Sequence, residues 1–378
     1  MKKKKLKIKF IILRKERYLI IDLNENFTNN NLINNIIKNY ENMLMGKDAV
    51  ISELKEKIQK LEKELESMEE QKKIDEKKNF NINTKNAIQI LNFHTQSVNC
   101  FAVLNDGRLV SGSNDNNIII YNKKTFQPDL IIKEHNNYIN HIIKLDSGLL
   151  ASCSADFTIK LYNIKEKNYE IIQTLNDHKN NVIKILELKN NNLVSCSEDK
   201  SIIFYYKNTS GYEKDYKIKT NQICPSLVQI KENEICYSEY NKFNYNIYFY
   251  DLNERKIKST ISNISSSGSF GPFNMITKDL LIIGGYNNIS IINVNQCKLI
   301  REIKISNSKW IYGFCMLNEN MFLTGDNFGT IRQWKIEGDD LYLISKKEEA
   351  HENNINALIK IGDEYIVSGG SDKSIKIW

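Results

Sequence analysis

The chain has 378 residues, 41% of them apolar, which is enough to bury one or two substantial cores and excludes an intrinsically disordered chain. Its net charge of +7 lies within residues 1–22, which hold 9 Lys or Arg against two acids, while the other 356 residues carry 44 charges of each sign. Because a nucleic-acid-binding domain needs a basic face, this balance argues against that function for the main body of the chain.

Residues 1–46 are predicted to form a basic hairpin followed by an amphipathic helix. Two short apolar runs flank RKER at 14–17, and LINNIIKNYENML at 32–44 places its apolar residues on one helical face. The order strand, strand, helix is similar to the opening of a ubiquitin-like fold, although no later strands of that fold follow. KKKK at 2–5 has two readings, a nuclear-import or anionic-surface signal and a solvated strand end, and we favour the second.

Residues 47–78 are predicted to form a coiled-coil helix. Apolar residues recur there at spacings of three and four, as in the a/d seam of about three heptads: Ile51, Leu54, Ile58, Leu61, Leu65 and Met68. The flanking charges do not select a homodimer. The seam therefore has two readings, a helix that pairs with a partner or a second copy, and a stalk that packs on its own chain. Residues 79–86 are predicted to be a polar linker.

From residue 87 to residue 378, one unit of about 40 residues recurs. In four copies a histidine precedes an aspartate by 21 residues, a serine stands four places before that aspartate, and an aromatic residue follows it by six. The four sets are His94, Ser111, Asp115 and Tyr121; His135, Ser152, Asp156 and Tyr162; His178, Ser195, Asp199 and Tyr205; and His351, Ser368, Asp372 and Trp378. Each unit contains four short strands that cannot bury their faces alone, so the units are predicted to stack.

Three further units fit between the third and fourth sets, which makes seven. They are predicted to end near Tyr121, Tyr162, Tyr205, Tyr250, Ile292, Trp334 and Trp378. Register places Asn307 and Phe328 of unit six where other units have the histidine and the aspartate. Cys153 and Cys196 share a repeat position with Gly112 and Gly369, which predicts packing of small residues and not metal ligation or disulfides, and hence a reducing compartment.

These units resemble the WD40 repeats, and the resemblance covers residues 87–378. It implies an all-β, seven-bladed β-propeller in which each His, Ser, Asp and aromatic set forms a structural hydrogen-bonded tetrad. The sequence departs from the family pattern because three units close on tyrosine, and Asn122 and Asn163 stand where an aspartate follows the tryptophan. We expect AIQIL at 87–91 to supply the outer strand beside IKIW at 375–378, so that the two ends of the domain close the ring.

A set of Ser, His and Asp is also the composition of a hydrolase triad. Four copies of one nucleophile have no catalytic use, whereas a repeated buried network stabilises a repeated fold. The sequence shows no nucleotide-binding loop, no HExxH and no Cys and His cluster with zinc spacing. We therefore predict no catalytic residue, no metal and no cofactor. His141, outside the four sets, is interpreted as a strand residue and not as a ligand.

The resemblance further implies a partner-binding face built from the residues three and five places after the histidine and the residue before the aspartate. On this chain they are Ser97, Asn99 and Asn114; Tyr138, Asn140 and Ala155; Asn181, Ile183 and Glu198; and Asn354, Asn356 and Ser371. In unit six, Trp310, Tyr312 and Asn327 take these positions. Trp310 has two readings, an interface hot spot and a side chain that fills the gap left by the degraded tetrad.

The sequence thus predicts a non-enzymatic protein-binding scaffold or adaptor, with the propeller face for partner recognition and the N-terminal helix for oligomerisation or recruitment. The alternatives are a subunit of a ubiquitin-system or signalling adaptor and a structural subunit of a cytoskeletal or trafficking assembly. Neither nucleic acid nor a membrane span is expected, because the main body is neutral and no apolar run is long enough. An intracellular location is predicted, with the cytoplasm first and the nucleus as the alternative.

Overall fold

The computed structural model describes residues 9–13, 16–20, 59, 63, 81–241, 244–265, 273–305 and 310–378. These belong to two units, Met1–Phe80 and Asn81–Trp378, which are described separately.

In the first unit, β1 (Lys9–Leu13) pairs antiparallel with β2 (Glu16–Ile20), so that Lys9 lies opposite Ile20. Gln59 and Lys63 are helical. The predicted helix at 32–44 and the a/d residues of the predicted coiled coil lie outside the described residues, and both stay predictions. Within the described ranges, no helix combines the length and the hydropathy needed to cross a bilayer.

The second unit consists of seven antiparallel four-stranded sheets, which confirms the predicted seven-bladed β-propeller. We letter the strands of each blade a to d, and strand a is innermost because it lines the central channel. Blades one to three are β4 (Val98–Val103), β5 (Leu109–Ser113), β6 (Ile118–Tyr121), β7 (Pro128–Ile132); β8 (Ile139–Lys144), β9 (Leu150–Ser154), β10 (Ile159–Ile164), β11 (Tyr169–Leu175); and β12 (Val182–Glu187), β13 (Leu193–Ser197), β14 (Ser201–Lys207), β15 (Tyr212–Lys219).

Blades four to six continue in the same order. They are β16 (Ser226–Lys231), β17 (Glu234–Asn241), β18 (Asn244–Asp251), β19 (Lys256–Ser265); β20 (Phe273–Met275), β21 (Leu280–Gly284), β22 (Asn288–Asn293), β23 (Lys298–Lys304); and β24 (Ile311–Asn318), β25 (Met321–Asp326), β26 (Ile331–Glu337), β27 (Asp340–Lys347). Blade seven takes its strands from both ends of the unit: β28 (Ile355–Ile361), β29 (Tyr365–Gly370), β30 (Ile375–Ile377) and β3 (Gln89–Leu91). Every predicted closing residue lies on a strand c or, for Trp378, directly after it.

Burial follows the position of a strand within its blade. The b strands β5, β9, β13 and β21 are buried at every residue, because neighbouring blades cover both of their faces. The outer strand β23 is mostly exposed. Each described hydrophobic cluster draws on two neighbouring blades, as where Ile120 of blade one and Tyr162 of blade two share a cluster. The propeller therefore has a ring of interblade cores, which is why stacking stabilises units that are unstable alone.

The tightest interblade packing falls at the repeat position that the sequence marks by small residues. A Cβ atom on Gly369 of blade seven would lie 2.6 Å from Cζ of Phe101 in blade one. The equivalent Cys153 and Cys196 are buried free thiols. Small side chains at this position let the neighbouring strand a approach closely, as predicted.

Closure between β3 and β30 is confirmed, with Gln89 opposite Ile377 and Leu91 opposite Ile375. The backbone N–H of Ile88 also donates to the carbonyl of Ile377 at 2.7 Å. Before β3, a 3-10 turn, η1 (Ile82–Thr84), buries Ile82, whose N–H donates to Gln333 Oε1 of blade six at 3.2 Å. The part of the predicted linker from residue 81 onward therefore belongs to the propeller unit.

The closure strand offers a matched pair of substitutions. Leu91 is 2% exposed and Ile90 is 52% exposed, although they are neighbours on the same strand. We expect Leu91→Ala to lower the free energy of unfolding by about 2–4 kcal/mol, because it empties a buried site, and Ile90→Ala by less than about 1 kcal/mol. Thermal or denaturant unfolding of the two variants measures both changes in the free energy of unfolding. Equal effects would contradict the closure by β3.

Candidate functional site

The structure brings each of the four predicted sets together where strand b meets the loop before strand a. In blade seven, His351 Nδ1 lies 2.9 Å from Asp372 Oδ2, His351 Nε2 lies 2.7 Å from Ser368 Oγ, and Trp378 Nε1 donates to Ser368 Oγ at 2.8 Å. An ionised carboxylate only accepts, so Nδ1 donates and Nε2 accepts from the serine hydroxyl. The serine oxygen is then free to accept from the indole, and the four side chains form one directed chain of hydrogen bonds.

Blades one, two and three repeat the His, Ser and Asp part of this chain. The distances from His Nε2 to Ser Oγ are 2.7, 2.7 and 2.8 Å, and those from His Nδ1 to the aspartate are 2.9, 2.7 and 3.0 Å. Tyr121 Oη lies 3.0 Å from Ser111 Oγ and completes the first set. The buried hydroxyls of Tyr162 and Tyr205 face Ser152 and Ser195, but in the described structure no hydrogen bond of normal geometry joins them. Both rings pack in interblade clusters instead.

The turn aspartates are held ionised. Burial by itself raises the pKa of Asp156, but hydrogen bonds from His135, from the Thr158 hydroxyl at 2.7 Å and from the Asn136 N–H at 3.0 Å outweigh it and lower that pKa. The pKa values of Asp115, Asp199 and Asp372 are lowered by corresponding bonds against the same effect of burial. Each ionised carboxylate thereby fixes the loop before its own strand a.

Blade six holds its b–c turn in a different way. Trp334 Nε1 donates to Thr324 Oγ1 at 2.9 Å, which keeps the tryptophan part of the tetrad. Phe328 stands at the aspartate position and is 55% exposed. Two residues earlier, buried Asp326 forms an ion pair with buried Arg332 at 2.5 Å and accepts the Phe328 N–H at 2.8 Å. Sequence reasoning missed this pair, because neither residue stands at a tetrad position.

The residue five places after the histidine lies at a bulge of strand a, where pairing with strand b shifts register. In three blades it is an asparagine, and its Nδ2 donates to the first carbonyl of the next strand a: Asn99 to Ile139 at 2.8 Å, Asn140 to Val182 at 2.8 Å, and Asn356 to Val98 at 3.0 Å. These predicted face residues therefore link neighbouring blades at the end of the channel.

Exposed aromatic residues lie at the same end of the propeller. We call this end the loop face; it comprises the loops before the strands a and the b–c turns, such as 92–97 and 114–117 of blade one. Tyr138 is 50% exposed and its carbonyl accepts the Ala155 N–H at 2.9 Å, which joins the loop to the b–c turn of blade two. Phe157 in that turn is 44% exposed, and Phe328 extends the series to blade six.

Phe157 was not predicted as a face residue, but its backbone has an unusual conformation for a phenylalanine. The residue after each turn aspartate has a left-handed conformation, with φ of 69° at Asn116, 74° at Phe157, 59° at Lys200 and 70° at Lys373. Asparagine and glycine adopt this conformation at low cost, whereas a bulky aromatic does not. An exposed phenylalanine in a strained turn is typical of a residue kept for contact and not for stability. The sequence signal is the dipeptide Asp-Phe where other copies have Asp-Asn or Asp-Lys.

The aromatic residues of unit six divide between a blade junction and the channel. Trp310 is half-buried, and its ring centroid lies 4.7 Å from that of Tyr286 in blade five. Its backbone N–H donates to Asn327 Oδ1 at 2.8 Å. Tyr312 occupies the bulge position and lines the channel. Asn354 is half-buried, and its carbonyl accepts the Ser371 N–H at 2.8 Å.

A cavity of about 460 Å³ occupies the mouth of the central channel at the loop face. Every blade contributes to its lining, with Asn99, Asn140, Lys184, Ser226, Asn274, Tyr312 and Asn356 as one representative each. Asn114, Asn181 and Glu198 complete its rim, and His141 lies within it. The structure therefore gathers predicted face residues from five blades around one opening, and it adds His141 and Lys184, which sequence reasoning did not place there.

The described residues contain no group of three or more His, Cys, Asp or Glu side chains arranged to hold a metal ion. The four tetrad serines are fully buried and the four histidines are at most 5% exposed. A substrate at the surface has no access to them.

Comparison with known proteins agrees with this architecture. The WD40 family, described as WD domain, G-beta repeat, matches residues 85–122, 126–163 and 344–378. The ribosome biogenesis protein YTM1 of Vanderwaltozyma polyspora is 29% identical over 73 residues, which are 19% of this chain and only 15% of that protein. The matched repeats and the seven four-stranded blades together define a WD40-type β-propeller. The chain therefore contains WD40 repeats.

The tetrad aspartates make stability depend on pH in acid. Because the folded-state pKa of Asp156 lies below its ordinary value of 3.8, its contribution is complete above about pH 5 and is lost as the pH falls below about 4. We expect Asp156→Asn to lower the free energy of unfolding by about 1–3 kcal/mol at pH 7 and to flatten the loss between about pH 5 and 3. Denaturant unfolding across this range measures both effects, and exposed Asp129→Asn is the control. An Asp156→Asn variant as stable as the parent at pH 7 would refute the role of the network.

The backbone strain at Phe157 can be tested by exchanging the residue types that follow the turn aspartates of blades one and two. Phe157→Asn should raise the free energy of unfolding by about 1 kcal/mol, because asparagine tolerates the left-handed turn. The reciprocal Asn116→Phe in blade one should lower it by about as much. Thermal unfolding of both variants checks this pair, and a destabilised Phe157→Asn would show that the ring packs productively.

Proposed function

We propose that the chain is a non-enzymatic protein-binding scaffold or adaptor, whose loop face holds an extended segment of a partner protein across the channel mouth. The observation that carries this proposal is the 460 Å³ cavity, which has all seven blades in its wall and the exposed Tyr138, Phe157 and Phe328 on the face around it. Aromatic side chains beside a concave polar site are the usual anchors of protein interfaces.

Two further features support recognition over catalysis. The repeated Ser, His and Asp side chains are buried, and their polar atoms form hydrogen bonds with one another. The loop face carries many asparagines and several exposed aromatic residues, which offer hydrogen bonds and contact area. Such a surface suits a peptide bound through its backbone and a few anchoring side chains.

The region before the propeller is proposed to recruit a partner protein or to form oligomers of this chain. Its support is the spacing of Ile51, Leu54, Ile58, Leu61, Leu65 and Met68. An intracellular location is part of the proposal, because all seven cysteines are free and six of them are buried.

A role in ribosome assembly is a second candidate. It rests on one observation, the likeness over 73 residues to a protein named for ribosome biogenesis. The chain spans only 15% of that protein, so the likeness covers less than two repeats.

The binding proposal predicts that partner capture depends on Tyr138. Tyr342, on outer strand β27, is the matched control, since it is 51% exposed against 50% for Tyr138. Immobilised full chain, Tyr138→Ala and Tyr342→Ala should be compared by quantitative proteomics of bound proteins. We expect Tyr138→Ala to lose specific partners by tenfold or more, consistent with a hot spot of about 2 kcal/mol, and Tyr342→Ala to retain them. Equal retention by both variants contradicts the proposal, and ribosome-assembly proteins among those lost would favour the second candidate.

The N-terminal seam predicts self-association of the full chain. Light scattering should give a mass above that of the monomer, and Leu61→Glu should restore the monomer because it places a charge in an a/d seam. Gln59→Glu, on an exposed helical residue, is the control and should leave the mass unchanged. A monomeric parent chain would exclude oligomerisation and leave recruitment as the proposed role.

A further inference from the structure

The cavity at the channel mouth is built from two tiers of side chains. The upper tier consists of the bulged residues, and in Asn99 and Asn140 both amide hydrogens are already used. Asn99 Nδ2 donates to Asn114 Oδ1 at 2.6 Å and to the Ile139 carbonyl, and Asn140 Nδ2 donates to Asn181 Oδ1 and to the Val182 carbonyl. Among the described residues no donor meets Oδ1 of either asparagine. The rim therefore offers acceptors, which suit the backbone N–H groups of a bound chain.

The lower tier is polar on one side and apolar on the other. His141, Lys184 and Ser226 come from blades two, three and four, and Lys184 Nζ donates to Ser226 Oγ at 3.0 Å. Phe314 and Leu358 come from blades six and seven on the apolar side. A ligand side chain with a short apolar stem and a polar end matches this division.

Lys184 is a cation without an acid to balance it. Within the described chain, no carboxylate lies at ion-pair distance from its Nζ, and burial lowers its pKa. Glu198 lines the same cavity, but its Oε1 accepts from Asn181 Nδ2 at 3.1 Å. Burial, with repulsion from Lys184, lowers the pKa of His141 to about 3 and keeps that ring neutral near pH 7.

Within the part of the chain that the structure describes, the Ser226 hydroxyl is thus the one hydrogen-bond partner that compensates the desolvation of the Lys184 ammonium group. Burying a charge is unfavourable unless a partner charge or several hydrogen bonds compensate it. A carboxylate placed against Lys184 supplies that compensation, whereas a lysine or arginine side chain in the same cavity is repelled. A phosphate, with nearly two negative charges, exceeds what one amine balances.

We propose that the channel mouth takes the side chain of an aspartate or glutamate from an extended partner segment, with Lys184 as its counter-ion and the Oδ1 atoms of Asn99 and Asn140 as acceptors for the segment's backbone. The proposal rests on the proposed peptide-binding function and adds the chemistry of the residue that is recognised. Tyr138 and Phe157, at the edge of the loop face, provide contact area for the flanking residues.

Selection of a displayed library of random linear peptides on the immobilised full chain tests this inference. The peptides enriched on the parent chain should share an acidic residue, and those enriched on Lys184→Met should not. For one enriched synthetic peptide, changing that residue to its amide should weaken binding to the parent by roughly tenfold or more and binding to Lys184→Met by less than about twofold. Fluorescence anisotropy or calorimetry gives the four dissociation constants.

Three controls keep the outcomes distinct. Lys184→Arg should retain the acidic preference, because it keeps the charge. Lys360→Met should also retain it, since Lys360 is a strand a lysine near the other end of its strand, paired with Asp363 at 2.7 Å. Thermal unfolding shows whether each variant is folded. Enriched peptides without an acidic residue, or with one that Lys184→Met still prefers, overturn this inference alone, whereas no enrichment on the parent overturns the peptide-binding function as well.

Discussion

The propeller depends on the fact that none of its blades can bury its own faces. A four-stranded sheet of these short strands has two apolar sides, and each described core cluster is shared by two blades. A row of seven such sheets would leave an apolar face at either end. The β3 and β30 pairing removes those ends by building one blade from both ends of the unit. Gly369 in that blade then packs directly against Phe101 of the first.

Two kinds of polar contact turn this ring into a rigid platform. In the four blades that carry the motif, the His, Ser and Asp side chains fix the loop before strand a to strand b and to the b–c turn of the same blade. The bulged asparagines fix blade seven to blade one, blade one to blade two, and blade two to blade three. Both kinds lie at the loop face, where partner contact is proposed. Rigid recognition surfaces lose little entropy on binding.

The sequence was sufficient for much of this architecture. A spacing of 21 residues between His94 and Asp115, repeated three more times, placed strands, turns and tetrads, because a network of fixed geometry requires fixed spacing. The ring closure followed from counting strands. The ion pair of Asp326 and Arg332 could not be predicted in this way, since it replaces a motif by a solution unique to one blade.

Sequence reasoning was least informative for the site itself. It placed Asn99 and Asn140 at the face but did not predict that their side-chain amides donate hydrogen bonds to the next blade. Every residue type has a backbone carbonyl, so the identity of the accepting residue gives no sign of such a bond. It also did not single out Lys184. Only the arrangement of seven strands around one axis shows that a lysine on strand a enters a shared cavity.

The closure also sets an order of events in folding. Asn356 and Val98, which are bonded across the junction of blades seven and one, are 258 positions apart in the chain, whereas Asn99 reaches Ile139 over 40. Bringing distant segments together costs more loop entropy than pairing near neighbours, and contacts of long sequence separation form slowly. Blades formed from continuous sequence can therefore assemble into an open arc before the ring shuts. We therefore expect the interface between blades seven and one to form after the interfaces between blades that follow one another in the sequence.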